Sequence, residues 1–466
     1  MSARLARAAR AGAGVVVLGA AACGGGRPAT LTARALAPDA RRALAAELRQ
    51  SFRGELLAPW YPRAVDREHG GFLSRFDADW LPVGAQEKMI VSQARHVWTN
   101  VRAAQFYGEY TSPAGNLAHA RHGYKFLRDV MWDAERGGFY WMVTRDGRPL
   151  PAADGRIVKQ TYGNAFAIYA LAAYYDVTHD PEGLAVAQRA FRWLDEHAHD
   201  PVHGGYFNYL ARDGTPLRAG YEREPPKDQN SSIHLLEAFA ELYQVWPEPL
   251  LRARLEEMLT LVRDRIRAEP GYLTLFHRAD WTPVSWRDST EAARRADRYY
   301  HDHVSFGHDV ETAYLLLEAS HALGRKEDAT TRAVAKRMVD HALRHGWDDA
   351  AGGFVEAGYY YRNRPGLTVV DSTKNWWAQA EGLNTLLLMA ELFPDDSMRY
   401  ADRFRKQWAY VRANLIDHAR GGWYAGGLDR QPEMRRADKG HIWKATYHES
   451  RAYMNVIRRL EGRGVP

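Results

Sequence analysis

The stretch Asp133-Ala134-Glu135-Arg136-Gly137-Gly138-Phe139 returns along the chain, and its recurrence decides the fold. Other copies run from Asp66 to Gly70-Gly71-Phe72, Asp200 to Gly204-Gly205-Tyr206, Asp348 to Gly352-Gly353-Phe354 and Asp417 to Gly421-Gly422-Trp423, with a worn copy at Pro270-Gly271-Tyr272. The second glycines stand at 71, 138, 205, 271, 353 and 422, in steps of 67, 67, 66, 82 and 69 residues. One supersecondary unit has been copied about six times.

Between the glycines, segments such as 163–175 and 233–243 carry apolar residues at helical spacing with few β-branched runs. Each copy has room for two such helices. An Asp-Gly pair follows the triplet at Asp146-Gly147 and Asp213-Gly214, where it supplies the positive φ of a tight hairpin turn. Paired-helix repeats stack as an open solenoid or close into a ring, and repetition alone leaves both open. The preferred reading is an all-α (α/α)6 barrel with short β-hairpin loops, which the resemblance below supports.

The N-terminus reads as an address. Arg4, Arg7 and Arg10 precede an apolar run, Ala11 to Leu18, and a small-residue site ends at Cys23, the only cysteine. The expected organisation is a lipoprotein-type signal over 1–22, a flexible tether over 23–40 and the barrel over 41–466, with lipidation at Cys23 and export to the periplasm or cell envelope. An ordinary secretory signal with an incidental cysteine is the alternative. A lone cysteine offers no intramolecular disulfide, so core burial supplies stability, and 46% hydrophobic residues allow that. The net charge of +6 is scattered among acids and forms no nucleic-acid stripe. No later stretch reads as a membrane span, so membrane contact is expected only through the lipid anchor.

Polar residues keep register with the repeat. Counted from each second glycine, Arg95 and Trp377 lie 24 residues on, Asn230 lies 25, and Asn164 and His448 lie 26. His308 lies 37 on, in the repeat that carries extra residues. Equivalent positions in a ring face one axial cavity. Helical spacing puts His234 with Asn230, Glu311 with His308 and Glu381 with Trp377. Any one histidine taken alone is more often a satisfied core residue; three in register reverse that weighting. Trp98, Tyr162, Trp376, Trp377 and Trp443 lie close by, and flat aromatic faces stack on sugar C–H faces.

The stretches 94–99, 162–171, 230–238, 305–313, 376–381 and 443–448 together resemble the N-acylglucosamine 2-epimerase superfamily, and within it the cellobiose and mannobiose 2-epimerases. The resemblance spans about residues 45 to 462. It implies an (α/α)6 barrel that epimerises the reducing-end glucose or mannose unit of a β-1,4-linked disaccharide at C2, without metal or organic cofactor. His308 and His448 match the family's acid/base pair and His234 a third essential histidine. Arg95, Asn230 and Glu311 match polar substrate contacts, Trp377 and Trp443 the aromatic ones. Tyr162, Asn164, Trp376 and Glu381 join them as candidate sugar contacts. Ser231-Ser232 and the insertion with Arg294, Arg295 and Arg298 depart from the family pattern.

The chemistry asks for these residue types on its own terms. Inverting C2 of an aldose requires ring opening, removal of the proton α to the aldehyde and its return on the other face. One neutral and one protonated imidazole flanking C2 suit that exchange. Arg95 suits the enediolate charge, and His234 a share of it or the ring-opening proton. Rivals are an inverting glycoside hydrolase using Glu311 and Glu381, an aldose–ketose isomerase, an N-acylglucosamine 2-epimerase, and a sugar-binding lipoprotein without turnover. His234, His308, His448 and Glu311 also form a conceivable metal set, but no His-Glu-x-x-His pair is present and no metal is expected.

Overall fold

Each glycine pair turns the chain from an outer helix towards an inner one. In chain order the helices are α1 (Pro38–Ser51) and α2 (Ile90–Tyr107), α3 (Asn116–Phe126) and α4 (Thr161–Thr178), α5 (Pro181–Ala198) and α6 (Gln229–Val245), α7 (Pro249–Leu261) and α8 (Phe306–Ala322), α9 (Ala329–His345) and α10 (Trp376–Leu392), and α11 (Tyr400–Asn414) and α12 (Tyr447–Leu460). The computed structural model describes residues 37–464 except 113 and 288–298. The signal segment, Cys23 and the arginines at 294, 295 and 298 lie outside the described residues. The stretch expected as tether extended to residue 40, but α1 already begins at Pro38, with proline in its first turn, where no N–H is required.

The even-numbered helices touch in sequence around a ring, and α12 returns to α2. The seam is closed on the outside as well. Helix α1 packs on α12, Phe52 stacks on Tyr453 with centroids 5.3 Å apart, and Phe76 bridges to Gly440. First and last repeats therefore cap each other, which an open solenoid cannot do. The chain is an (α/α)6 barrel, as expected. Inner helices are enclosed on most sides: every residue of α4 from Thr161 to Tyr174 is buried. Outer helices bury one stripe, which in α5 runs through Gly183, Val186, Ala187, Ala190, Phe191 and Leu194.

The repeated loop is built from its own residues. In the second copy, Asp133 Oδ1 accepts the N–H groups of Glu135 and Arg136, and Gly137 donates to the Asp133 carbonyl at 2.7 Å. Both glycines have φ near +70°, and a Cβ on Gly138 would stand 2.6 Å from the Trp193 ring. Asp133 Oδ2 meets the buried Lys159 ammonium at 3.1 Å. The same pair recurs as Asp66–Lys88, Asp200–Lys227, Asp348–Lys374 and Asp417–Lys439. In the worn fourth repeat the Asp position is Ile266 and the Lys position Val304, both in the core cluster. Loss of the carboxylate and of the ammonium together avoids an unpaired buried charge.

The Asp-Gly hairpins form as expected, with Gly147 and Gly214 at φ +95° and +94°. Strands at this place in four repeats, two of them without an Asp-Gly turn, stitch the ring. Met142–Val143 pairs with Lys88–Met89, Tyr209–Ala211 with Val158–Gln160, Phe276–His277 with Lys227–Asp228, and Ala357–Tyr359 with Val304–Ser305. Each hairpin therefore reaches the strand that leads into the preceding inner helix, and so fixes where that helix starts.

Candidate active site

The N-terminal turns of the inner helices surround a cavity of about 290 Å³. Its walls carry Arg95 from α2, Tyr162 from α4, Asn230 and His234 from α6, His308 and Glu311 from α8, Trp376 and Trp377 from α10, and His448 from α12, with Trp443 from the loop before α12. Helix N-termini carry partial positive charge, so the mouth suits an anionic species.

Both expected acid/base histidines face this space and lie against one indole: the Trp377 ring is 4.6 Å from His308 and 5.8 Å from His448, centroid to centroid. Nδ1 of His448 lies 2.7 Å from Glu381 Oε1, and Nδ1 of His308 lies 2.8 Å from Ser305 Oγ. His234 lies 2.9 Å from Glu237 Oε2 through its own Nδ1. Arg95 donates to the Tyr162 hydroxyl at 3.1 Å and to the Trp443 carbonyl at 3.2 Å, with Phe166 and Tyr447 rings beside its guanidinium. Asn230 Oδ1 and Trp376 Nε1 have no protein partner among the described residues, although both are buried. Trp443 is 46% exposed and forms a rim.

The expectation of one neutral and one charged imidazole differs from the sugar-free site. Burial, followed by the neighbouring His234, His303, His448 and Arg95, pushes His308 down to about 3. Burial, followed by Arg95, pushes His448 well below the usual histidine range despite the carboxylate of Glu311 nearby. Both rings are therefore neutral before substrate enters.

Three residues expected near the sugar are placed elsewhere. Asn164 turns away: its Oδ1 accepts the Phe139 N–H at 2.9 Å and its Nδ2 donates to the Gln160 carbonyl at 2.8 Å. Gln93 and Gln379 do the same for Phe72 and Phe354. Counting from the glycines misjudged it because loop lengths differ by a few residues, and two residues on a helix rotate a side chain by about 200°. Tyr162, two residues earlier, is the α4 residue that reaches the cavity. Glu381 lies behind His448 and does not line the cavity. Trp98 stacks on Tyr169 at 5.4 Å and belongs to a separate cavity of about 300 Å³ at the other end of the barrel.

His303, Ser305 and Glu356 also line the cavity and escaped the sequence reading. Burial, then Asp371, raises the Glu356 carboxyl to about 7, and Asn375 Nδ2 donates to it. Its signal was available: Glu356 stands two residues past its repeat's aromatic, where Trp141, which packs at 5.9 Å from Trp443, stands in the second repeat. Arg451 was missed as well. It is 2% exposed, and its guanidinium joins Glu237, Glu311 and Glu381 beneath the histidines.

Glu311, Glu381 and His448 offer ligand atoms within 4.8 Å of one another, but the Arg451 cation already bonds both carboxylates, which disfavours a second cation there. Their carboxylate oxygens are closer than the roughly 6.5–9.5 Å separation of an inverting glycosidase, and Glu381 lies outside the cavity.

The sequence profile of the N-acylglucosamine 2-epimerase (GlcNAc 2-epimerase) family matches residues 70–452. The chain belongs to this family. As a member of it, the chain is 28% identical over 432 residues to a cellobiose 2-epimerase of Bacteroides fragilis, covering 88% of this chain and 98% of the relative. A D-mannose isomerase of Marinomonas mediterranea is 25% identical over 413 residues, covering 87% and 95%. The solved structure of a cellobiose 2-epimerase from Spirochaeta thermophila superposes with a TM-score of 0.77 at 31% identity, covering 92% of this chain and 98% of that one. This member of the N-acylglucosamine 2-epimerase family is a carbohydrate epimerase or isomerase acting on a small sugar.

Proposed function

We propose that the protein epimerises C2 of the reducing-end glucose or mannose unit of a β-1,4-linked disaccharide of the cellobiose or mannobiose type. The observation that carries this reading is the arrangement of His308 and His448 on one cavity against the Trp377 face, with Arg95 beside them. In this reading one neutral imidazole takes the C2 proton of the opened sugar, and the C–H electron pair moves into an enediolate over C1 and C2. The opposite imidazole, having taken a proton from solvent as the enediolate charge develops, delivers it to the other face of C2: the C1=C2 pair forms the new C–H bond, the O1 lone pair re-forms the C1 carbonyl, and the first ring releases its proton to solvent. The enediolate's negative charge lifts both neighbouring imidazoles back towards protonation, so the donating ring is charged only while the intermediate lasts. Arg95 and the helix N-termini stabilise that charge as it develops. Trp377 and the exposed Trp443 offer stacking faces to the two sugar rings. An N-acylglucosamine is the alternative substrate and forms an arm of the test.

The second reading is an aldose–ketose isomerase. It uses the same enediolate and protonates C1, and the similarity to a D-mannose isomerase favours keeping it. Incubation with cellobiose, mannobiose, glucose, mannose and N-acetylglucosamine in heavy water, followed by NMR, separates the two. Deuterium at C2 of an epimer is the expected result. A ketose labelled at C1 would establish the isomerase, and binding without exchange would leave only a sugar-binding protein.

The lipidated, exported form remains part of the proposal. Intact-mass measurement on membrane-fractionated protein is expected to show a diacylglyceryl adduct at Cys23; an unmodified soluble form would refute it.

A further inference from the structure

Buried charges beneath the cavity are arranged around one side chain that none of the chemistry above requires. Arg451 lies three residues after His448 on α12, and its fork spans three inner helices. Nη1 donates to Glu237 of α6 and to the Tyr447 hydroxyl, and Nη2 donates to Glu311 of α8 and, at 2.6 Å, to Glu381 of α10. All four side chains, and Arg451 itself, are at most 2% exposed. A buried guanidinium with this many carboxylates is held by geometry that few other positions could satisfy.

The carboxylates are those that hold the histidines. Glu381 Oε1 is shared: His448 Nδ1 approaches it at 2.7 Å and Arg451 Nη2 at 2.6 Å. Glu237 splits its oxygens, with Oε1 towards Arg451 and Tyr447 and Oε2 towards His234. Since a carboxylate only accepts, the His448 nitrogen facing Glu381 carries a hydrogen, and in the neutral ring Nε2 is left bare as a proton acceptor. We propose that Arg451 is a positioning residue that fixes the tautomer of His448 through Glu381 and keeps that ring an uncharged base.

The electrostatic side follows from the groups around His448. Arg95 on α2, Tyr162 on α4, His234 and Glu237 on α6, His308 and Glu311 on α8, Glu381 on α10, and Tyr447, Glu449 and Arg451 on α12 are the titratable or charged neighbours facing this cluster. Glu311 favours the imidazolium, whereas Arg95 and Arg451 oppose it. Removing Arg451 leaves Glu311 and Glu381 uncompensated beside the ring. His448 then binds a proton more readily, and the base is lost at a higher pH than in the native protein.

This inference rests on the epimerase reading for its kinetic test and not for its spectroscopic one. In Arg451→Met, kcat is expected to fall about 10- to 100-fold with KM changed less than about threefold, and the acidic limb of kcat/KM moves to higher pH. Arg451→Lys, which keeps the charge and loses the fork, is expected to return the limb towards the native position while kcat stays low. An unmoved limb in folded Arg451→Met, or a loss confined to KM, would overturn the proposal. Should both variants fail to fold, ¹⁵N NMR of the native imidazoles decides without them. A neutral His448 ring protonated at Nδ1 at pH 7 supports the proposal, and an Nε2-protonated or cationic ring refutes it. Because that spectrum needs no turnover, it stands even if no sugar is epimerised.

Discussion

The loop pairs between Asp and Lys and the charged cluster under the cavity both lie at the N-terminal ends of the inner helices, and both are buried. They differ in repetition. The loop pair is copied five times with the same two residue types and the same bond, and the fourth repeat drops both partners together. The cluster draws Glu311 and Glu381 from one helical position, five residues past the first residue of the inner helix, which α2, α4 and α6 fill instead with Arg95, Phe166 and His234, and takes Glu237 and Arg451 from other positions. Charge that repeats closes on itself and builds the barrel. Charge that breaks the repeat leaves atoms such as Asn230 Oδ1 open towards a ligand.

Substitutions in the two regions should therefore have opposite signatures. The largest effect is expected at the non-repeating positions: His448→Asn or His308→Asn should lower kcat about 10²- to 10⁴-fold. Sugar binding by calorimetry and the thermal midpoint should stay close to native. A variant that turns over normally would remove that histidine from the chemistry. Next is Lys159→Met, which leaves Asp133 with the half-exposed Arg212 guanidinium as its remaining cation and should cost somewhat less in denaturant unfolding than the roughly 3–5 kcal/mol of a fully unpaired buried charge. Its kcat in the folded state should remain near native, the reverse of the histidine result.

Asn164→Ala leaves the Phe139 N–H unpartnered and should cost about 1–3 kcal/mol with kcat/KM within about threefold of native. A large loss of kcat/KM would return Asn164 to the sugar site. Copying the fourth repeat into the second, as Asp133→Ile with Lys159→Val, should be milder than Lys159→Met alone, with the difference read as coupling in a double-mutant cycle. The smallest effect per group is acidic. Burial alone would raise the Asp66 carboxyl, but bonds from Arg145 and Lys88 overcome it and hold it below the usual carboxylate range; Asp133, Asp200, Asp348 and Asp417 are lowered in the same way by their own partners. A depressed folded value means stability is present above the unfolded pKa of about 3.9 and lost as pH falls through the lower folded values. The denaturant midpoint should therefore drop below about pH 4.

Much of this was legible from residues alone. The glycine triplets announced the repeat, and the residues drawn from its register (Arg95, Asn230, His308, Trp377, His448), from helical spacing (His234, Glu311) and from nearness along the chain (Tyr162, Trp376, Trp443) reach one cavity. Asn164 and Glu381 did not, because a glycine count fixes a helix only to within a few residues and helical phase turns on each of them. The buried lysines were equally regular in sequence, two residues before α2, α4, α6 and α10. They went unread because a lysine next to a helix start is ordinarily solvated, and only the folded loop shows that each is enclosed.

Order along the chain is enough to establish that a helical hairpin is repeated and which residue types depart from the repeat. Closure of the ring, the burial of five Lys–Asp pairs and the meeting of Glu237, Glu311, Glu381 and His448 around Arg451 were decided only by the tertiary structure. Those contacts join residues as far apart as Phe52 and Tyr453, 401 positions, and no local spacing encodes how far a side chain turns once its helix is packed.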